Sequence, residues 1–347
     1  VGKRDKRRRE MIRKMIAKVT EGENLTEEET RKVISEIMEG KATSAQIASF
    51  LTALRMKGET VEEITGCAKE MLNRASSFDL SEDVLVDTCG TGGDGSNTFN
   101  ISTAVAFVVA GVGLVVAKHG NRALSSRCGS ADVLEVLGVK LDISLEKLKE
   151  CLKRIGIGFL FAPLYHRAMK YALGPRQEIG IRTIFNILGP LTNPLRANVR
   201  LLGVYHPSLT EPLARVLKNL GVKGAFVVHG EDGLDEISLS ARTRITQLKE
   251  GRIKTYYIKP EDLGMRRVSQ EAIRGGDGKE NARILRSILE GEEKGAKREI
   301  VLLNSAACLV AADMAKDLKE GIEMARESID SGRAKEKLEM LIALTNA

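Results

Sequence analysis

No stretch of about 18 or more apolar residues occurs in this 347-residue chain, which excludes a transmembrane helix. Its five cysteines, Cys67, Cys89, Cys128, Cys151 and Cys308, include no CxxC pair, which argues against a zinc site or a disulfide framework and for a reducing, cytoplasmic home. No glycine-rich stretch ends in GKS or GKT, and none has GxGxxG spacing at the start of a helix, so the common ATPase and NAD fingerprints are missing. The opening residues lack the apolar segment of a secretory signal.

What is present is ordinary for a soluble globular protein of roughly two domains: 43% apolar and 29% charged residues. The formal charge is +7, but Lys3, Arg4, Lys6, Arg7, Arg8 and Arg9 against Asp5 and Glu10 place +4 of it in the first ten residues. The remainder is only mildly basic, which leaves nucleic-acid binding as a minor alternative to be tested by its salt dependence. The basic opening is read as a processed end, an expression scar or the cut edge of a fusion.

Thr26-Glu-Glu-Glu29, Thr43-Ser-Ala-Gln46 and Thr60-Val-Glu-Glu63 are capping boxes, each followed by apolar residues at three and four spacing. They predict a helical domain over residues 1–78. After Asp83 short β-rich runs appear at 84–87, 114–118, 201–205, 224–230 and 252–258. Helical stretches at 131–137, 209–220, 281–289 and 300–314 accompany them. The alternation predicts an α/β domain over 79–347 with a mostly parallel sheet. Residues 164–193 read as helical again, interrupted at Gly174-Pro175 and closed by Gly189-Pro190 and Asn193-Pro194.

The chemistry concentrates after the first of those strands, in VLVDTCGTGGDGSNTFNIST (84–103). Gly90, Gly92, Gly93 and Gly95 allow positive φ and a close approach of backbone amides to a bulky anion. A helix beginning near Asn100 would add its N-terminal dipole. The hydroxyls of Thr91, Ser96, Thr98, Ser102 and Thr103 and the Asp94 carboxylate favour phosphate with a divalent metal over a plain turn. Lys118, at the end of the second strand, suits a phosphate as a point charge. Asp235-Glu236 follows a strand and a glycine turn; by themselves two such carboxylates are either hard-oxygen ligands for Mg²⁺ or a solvated acidic turn.

DTCGTGGDGSNTFNIST, KHGNRALSSRCGSADVLEVLG, GIRTIFNILGPLTNP and HGEDGLDEIS, in this order, resemble the successive motifs of the anthranilate phosphoribosyltransferase family of tryptophan synthesis, and the likeness runs from about Leu25 to the C-terminus. The resemblance implies that the 170–200 helical segment packs with the N-terminal helices. The smaller domain is then a discontinuous helical bundle, with the active site in the cleft beside the larger α/β domain. It implies transfer of the phosphoribosyl group of phosphoribosyl diphosphate to the amine of anthranilate, in a homodimer. The donor would contact Gly90, Gly93, Asp94, Thr98, Asn100, Ile101, Ser102, Thr103, Lys118, Asn121 and Ser130. Mg²⁺ would be held through Ser102, Asp235 and Glu236, and anthranilate through Gly90, His119, Asn121 and Arg176. A glutamine amidotransferase, fused upstream or as a partner, accompanies some members.

Two departures and alternatives accompany this reading. GPRQEIG stands where the family more often has PVRREIG, although Arg176 keeps its register as the carboxylate-binding arginine. His119 suits orienting the acceptor, with a general-base role as the alternative. Arg122 and Arg127 either add charge to the donor site or are solvated. His166 either lines the acceptor site or is structural, and His206 and His229 read as structural. Pyrimidine nucleoside phosphorylases share the implied fold; the Asp235-Glu236 pair and Arg176 favour the transferase.

Overall fold

A computed structural model describes residues 3–80, 82–123 and 127–347, with side chains from Met11 onward; Val1 and Gly2 of the basic opening lie outside the described residues. In chain order the elements are α1 (Lys3–Thr20), α2 (Glu27–Met38), α3 (Ser44–Lys57), α4 (Val61–Arg74), β1 (Leu85–Gly90), α5 (Ile101–Val112), β2 (Val115–Gly120), α6 (Ser130–Val136), α7 (Leu145–Ile155), β3 (Ile157–Phe161) and α8 (Ala162–Tyr165). There follow α9 (Lys170–Ile179), α10 (Phe185–Leu191), β4 (Val199–Gly203), α11 (Thr210–Asn219), β5 (Gly224–Gly230), β6 (Thr243–Lys249), β7 (Arg252–Ile258), α12 (Gly278–Leu289), α13 (Ala296–Ala311), α14 (Leu318–Asp330) and α15 (Arg333–Asn346). They divide into two compact units, Val1–Ser76 with Pro163–Pro194 and Ser77–Ala162 with Leu195–Ala347.

In the first unit all three capping boxes form. The hydroxyls of Thr26, Thr43 and Thr60 accept the N–H groups of Glu29, Gln46 and Glu63, whose side chains accept the threonine N–H groups in return. Each such cap contributes about 1 kcal/mol. Glu63 is fully buried and also accepts the Leu25 N–H at 2.8 Å and Lys57 Nζ at 2.9 Å, so one carboxylate ties two inter-helix connections together. Helix α9 packs on α2 and α3, and α10 on α4. The break expected at Gly174-Pro175 does not occur, because α9 runs through Pro175. The carbonyl that Pro175 leaves without a donor is that of Tyr171, in a first turn whose side chain is exposed, so water can satisfy it.

The second unit holds a seven-stranded sheet in the order β3-β2-β1-β4-β5-β6-β7. Its first five strands are parallel, and β6 and β7 extend it as an antiparallel meander. The structure adds β3 and β6 to the expected strands, and α7, α14 and α15 to the expected helices. The chain winds outward through β1, β2 and β3 on one side and through β4 and β5 on the other, which makes the β1/β4 boundary the topological switch point. Helix α5 is almost wholly buried, as its apolar AVAFVVAG segment requires, and is enclosed by α13, α14 and α15. Gly111 lets the Ala334 backbone come close, and Ser328 Oγ donates to Val108 O at 2.8 Å. The start of α5 is thereby fixed beside the carboxyl end of β1.

Candidate active site

Polar groups gather where β1, β2, β4 and the loop after β5 meet. Three of the four loop glycines, Gly92, Gly93 and Gly95, have φ between 64° and 75°, as the sequence predicted. Gly90 does not, and its role is room: a Cβ there would lie 2.5 Å from Asp235 Oδ2. Its ladder partner Gly203 is more constrained still, since a Cβ would lie 1.5 Å from the Asp235 carbonyl oxygen. Two facing glycines therefore open the slot in which Asp235 sits. Asp235 Oδ2 accepts the Gly92 N–H at 2.9 Å, Thr91 N–H donates to Gly203 O at 2.9 Å, and Tyr205 N–H donates to Thr91 Oγ1 at 3.0 Å. Asn304, fully buried in α13, clamps the next segment from both sides by accepting the Ile237 N–H and donating to the Ile237 carbonyl.

The electrostatics of this cluster are unbalanced. Burial, reinforced by the neighbouring Asp94 charge, pushes the Asp235 carboxyl above the usual range. Burial and then Asp235 push Glu236 well up, although it accepts a hydrogen bond from the Ser102 N–H. The nearest cation is Lys118, whose Nζ lies 3.2 Å from Ser102 Oγ and 2.5 Å from Thr88 O; burial lowers its pKa and the nearby Asp87 opposes that. Among the described residues no three acidic, histidine or cysteine side chains are grouped as a ready metal cage, but the Asp235 and Glu236 carboxylates and the Ser102 hydroxyl are hard oxygen donors of the kind that suit a divalent cation.

The other predicted positions divide by environment. Asp94 folds back on Ser96, while Thr98 forms an isolated bridge with Arg274. Asn100 bonds to Cys128 O at 3.1 Å and accepts from Asn281 Nδ2 at 3.0 Å. Ile101 belongs to the core, and the Thr103 hydroxyl is buried without a partner. The first N–H groups of α5 are occupied, Ile101's by Phe99 O and Ser102's by Glu236, so the expected helix-terminus cradle is already filled by protein acceptors. His119 is buried at the end of β2, its N–H donating to Asp87 Oδ1 at 3.0 Å. Asn121 and Ser130 close the second glycine-rich loop, Ser130 Oγ donating to Asn121 O at 3.4 Å. There Arg122 is paired with Asp132 and Glu135, and Arg127 is exposed.

In the helical unit, Arg176 lies in the last turn of α9, half-buried, with its guanidinium 5.2 Å from the centre of the Phe185 ring. Burial lowers its pKa, and among the described residues no carboxylate forms an ion pair with it. His166 Nε2 lies 2.9 Å from Thr192 O, and His229 Nδ1 lies 2.7 Å from Val204 O, both structural contacts. All five cysteines are buried thiols outside any disulfide; burial raises Cys128 to about 11 and Cys89 further, which fits space-filling rather than reactive thiols.

Sequence reasoning missed Gly203, Asn304 and the buried pair Asp87–Arg200. Each carries a signal: a glycine ending the apolar run VRLLG, a polar residue inside IVLLNSAACLV, and charges inside strand sequences.

Comparison with known proteins finds matches along nearly the whole chain. A glycosyl transferase family α/β domain matches residues 82–335, and a glycosyl transferase family helical bundle domain matches residues 13–75. The anthranilate phosphoribosyltransferase of Acetivibrio thermocellus is 54% identical over 97% of this chain and 97% of its own, and that of Geotalea uraniireducens is 56% identical over 97% and 100%. Among solved structures, anthranilate phosphoribosyltransferase from Thermus thermophilus superposes with a TM-score of 0.91 at 42% identity, over 96% of this chain and 99% of that one. The Saccharomyces cerevisiae enzyme in complex with PRPP and Mg gives a TM-score of 0.88 at 30% identity, over 96% and 98%.

Proposed function

The chain belongs to the anthranilate phosphoribosyltransferase family, and on that premise we propose that it transfers the phosphoribosyl group of phosphoribosyl diphosphate to anthranilate, in tryptophan biosynthesis. The bond from ribose C1 to the diphosphate oxygen breaks with its electron pair leaving on diphosphate. The anthranilate nitrogen lone pair forms the new bond to C1, and the nitrogen then loses a proton. Positive charge builds on the sugar and negative charge on the leaving group, so the protein's task is to hold the latter.

The observation that carries this reading is the crowding of Asp94, Asp235 and Glu236 beside Lys118, Ser102 and the positive-φ glycines of the first loop. Asp235, Glu236 and Ser102 would hold Mg²⁺, which supplies the positive charge that lets a diphosphate approach an acidic cluster. Lys118 steadies the leaving group, and the amides and hydroxyls of the first loop, with Asn100, Asn121 and Ser130, position the donor. Arg176, which pairs with no carboxylate among the described residues, takes the carboxylate of anthranilate, with Gly90 and Asn121 lining the acceptor and His119 orienting it. The amine nitrogen attacks before it is deprotonated, so no strong base is required. The active form is a cytoplasmic homodimer, with a glutamine amidotransferase as a candidate partner.

Anthranilate fluorescence tests the reaction. Purified protein with phosphoribosyl diphosphate and Mg²⁺ consumes the signal, and EDTA stops the decay. Folded, donor-binding protein that leaves the fluorescence unchanged sinks the assignment.

A further inference from the structure

The parallel ladder between β1 and β2 pairs Leu85 with Val115 and Val86 with Val116, and there it ends. Each strand nevertheless continues to pair with its other neighbour, β1 with β4 as far as Gly90–Gly203 and β2 with β3 as far as Gly120–Phe161. Side chains bridge the unladdered stretch. Lys118 Nζ donates to Thr88 O at 2.5 Å, and the His119 N–H donates to Asp87 Oδ1 at 3.0 Å. The second oxygen of Asp87 receives Arg200 Nη1 from β4 at 3.0 Å. One carboxylate thus links three strands at the switch point, with both charged side chains at most 2% exposed.

A buried ion pair gives little net stability over apolar residues of similar size, so stability alone is a poor reason for this one. Its location supplies a better reason. His119 and Lys118 are adjacent on β2, and Lys118 reaches Ser102 Oγ at 3.2 Å only if the end of β2 keeps its register against β1. Arg200 fixes the orientation of Asp87, Asp87 fixes the His119 backbone, and that backbone sets where Lys118 and the His119 ring emerge. We propose that Asp87 and Arg200 are positioning residues for the transfer reaction, replacing the ladder with a side-chain strut that aims Lys118 and His119. The inference rests on the phosphoribosyl-transfer reading of the same site.

Two neutral double variants separate aiming from charge balance. Asp87→Asn with Arg200→Met keeps an acceptor for the His119 N–H, whereas Asp87→Leu with Arg200→Met removes it and leaves no uncompensated charge. The first keeps the acceptor but loses the guanidinium that orients it, so kcat falls about tenfold, while in the second kcat falls about 100-fold, the KM for anthranilate being little changed in both. Amide exchange in the peptide covering Ala117–Gly120 rises much more in the second variant than in the first. Equal kcat values in two folded variants, or equal exchange, overturn the proposal, because a merely structural pair would lower thermal stability in both alike. Should the leucine variant fail to fold, Arg200→Lys decides: a lone ammonium does not hold Asp87 as a guanidinium does, so kcat falls about tenfold, and a wild-type kcat overturns the strut. Wild-type protein assayed alongside distinguishes the failures. Absent transfer there defeats the functional reading, while the exchange comparison judges the strut by itself.

Discussion

The loops that follow β1 and β2 each lead from a parallel strand into a helix, yet the charges gathered around them are resolved in opposite ways. After β2, Asp132 accepts the Ala123 and Gly129 N–H groups at 2.9 and 2.8 Å, and Arg122 is held by Glu135 and Asp132. Hydrogen bonds from the Ala123 and Gly129 backbone and from Arg122 keep Asp132 ionised despite its burial. At the end of β1, Asp94 of the first loop and Asp235 of the loop after β5 repel each other, Glu236 is buried, and the nearest cation is Lys118 of β2. A loop whose charges are matched internally is scaffold, and a loop that concentrates unmatched charge at a switch point is prepared for a charged ligand.

Four substitutions or conditions sharpen this contrast, in descending order of effect. Gly203→Ala places a Cβ 1.5 Å from the Asp235 carbonyl, and the loop must move. A displacement of about 1 Å at the reacting groups predicts a loss of about 100-fold in kcat/KM for the donor, measured by initial rates. Wild-type rates in that variant would show that the slot between the two glycines is not what places Asp235. Arg176→Ala raises the KM for anthranilate by about 30-fold and that for the donor by much less, since a charge-assisted bond is lost at the acceptor alone. Equal rises would remove Arg176 from the acceptor site.

The third contrast is with pH. A carboxyl whose folded pKa is raised, as burial and Asp94 raise that of Asp235, keeps its proton into a range where the unfolded chain has lost it. In the metal-free protein this group therefore withdraws stability as pH rises through its raised pKa. A bound cation must displace that proton, so the Mg²⁺ concentration for half-maximal rate increases as pH falls, by up to about tenfold per pH unit. A requirement independent of pH between the ordinary carboxylate range and neutrality would contradict the metal assignment. The smallest effect belongs to the matched loop: Arg122→Ala, which breaks exposed ion pairs, changes the donor KM by less than about threefold. A larger change would mean that Arg122 leaves its carboxylates to reach the donor.

What could be read from the sequence follows from the range of each signal. The capping boxes at Thr26, Thr43 and Thr60 are complete within four residues, and all three form. The strands at 84–87 and 224–230 announce themselves as apolar runs bounded by turn residues; the first overlaps β1 from Leu85 and the second coincides with β5. Gly203 is different, because its necessity depends on β4 lying beside β1 in one register with Asp235 folded over both. Asn304 is separated from Ile237 by 67 residues, and although a polar residue inside an apolar helix marks it as unusual, nothing near it in sequence names Ile237 as its partner. Asp87 and Arg200 stand in β-rich runs as charges that local pattern rules would place in solvent, and only the register shows that each answers the other. Pro175 shows the reverse failure, a local rule for breaking helices that an exposed first turn defuses.

The most direct test of the unmatched-charge account is a calorimetric titration of phosphoribosyl diphosphate into the wild-type protein and into Asp235→Asn with Glu236→Gln, each with Mg²⁺ and with EDTA. The account predicts binding by the wild type that depends on Mg²⁺ and a variant in which that dependence is lost along with turnover. A variant that binds and turns over the donor with an unchanged requirement for Mg²⁺ would contradict it.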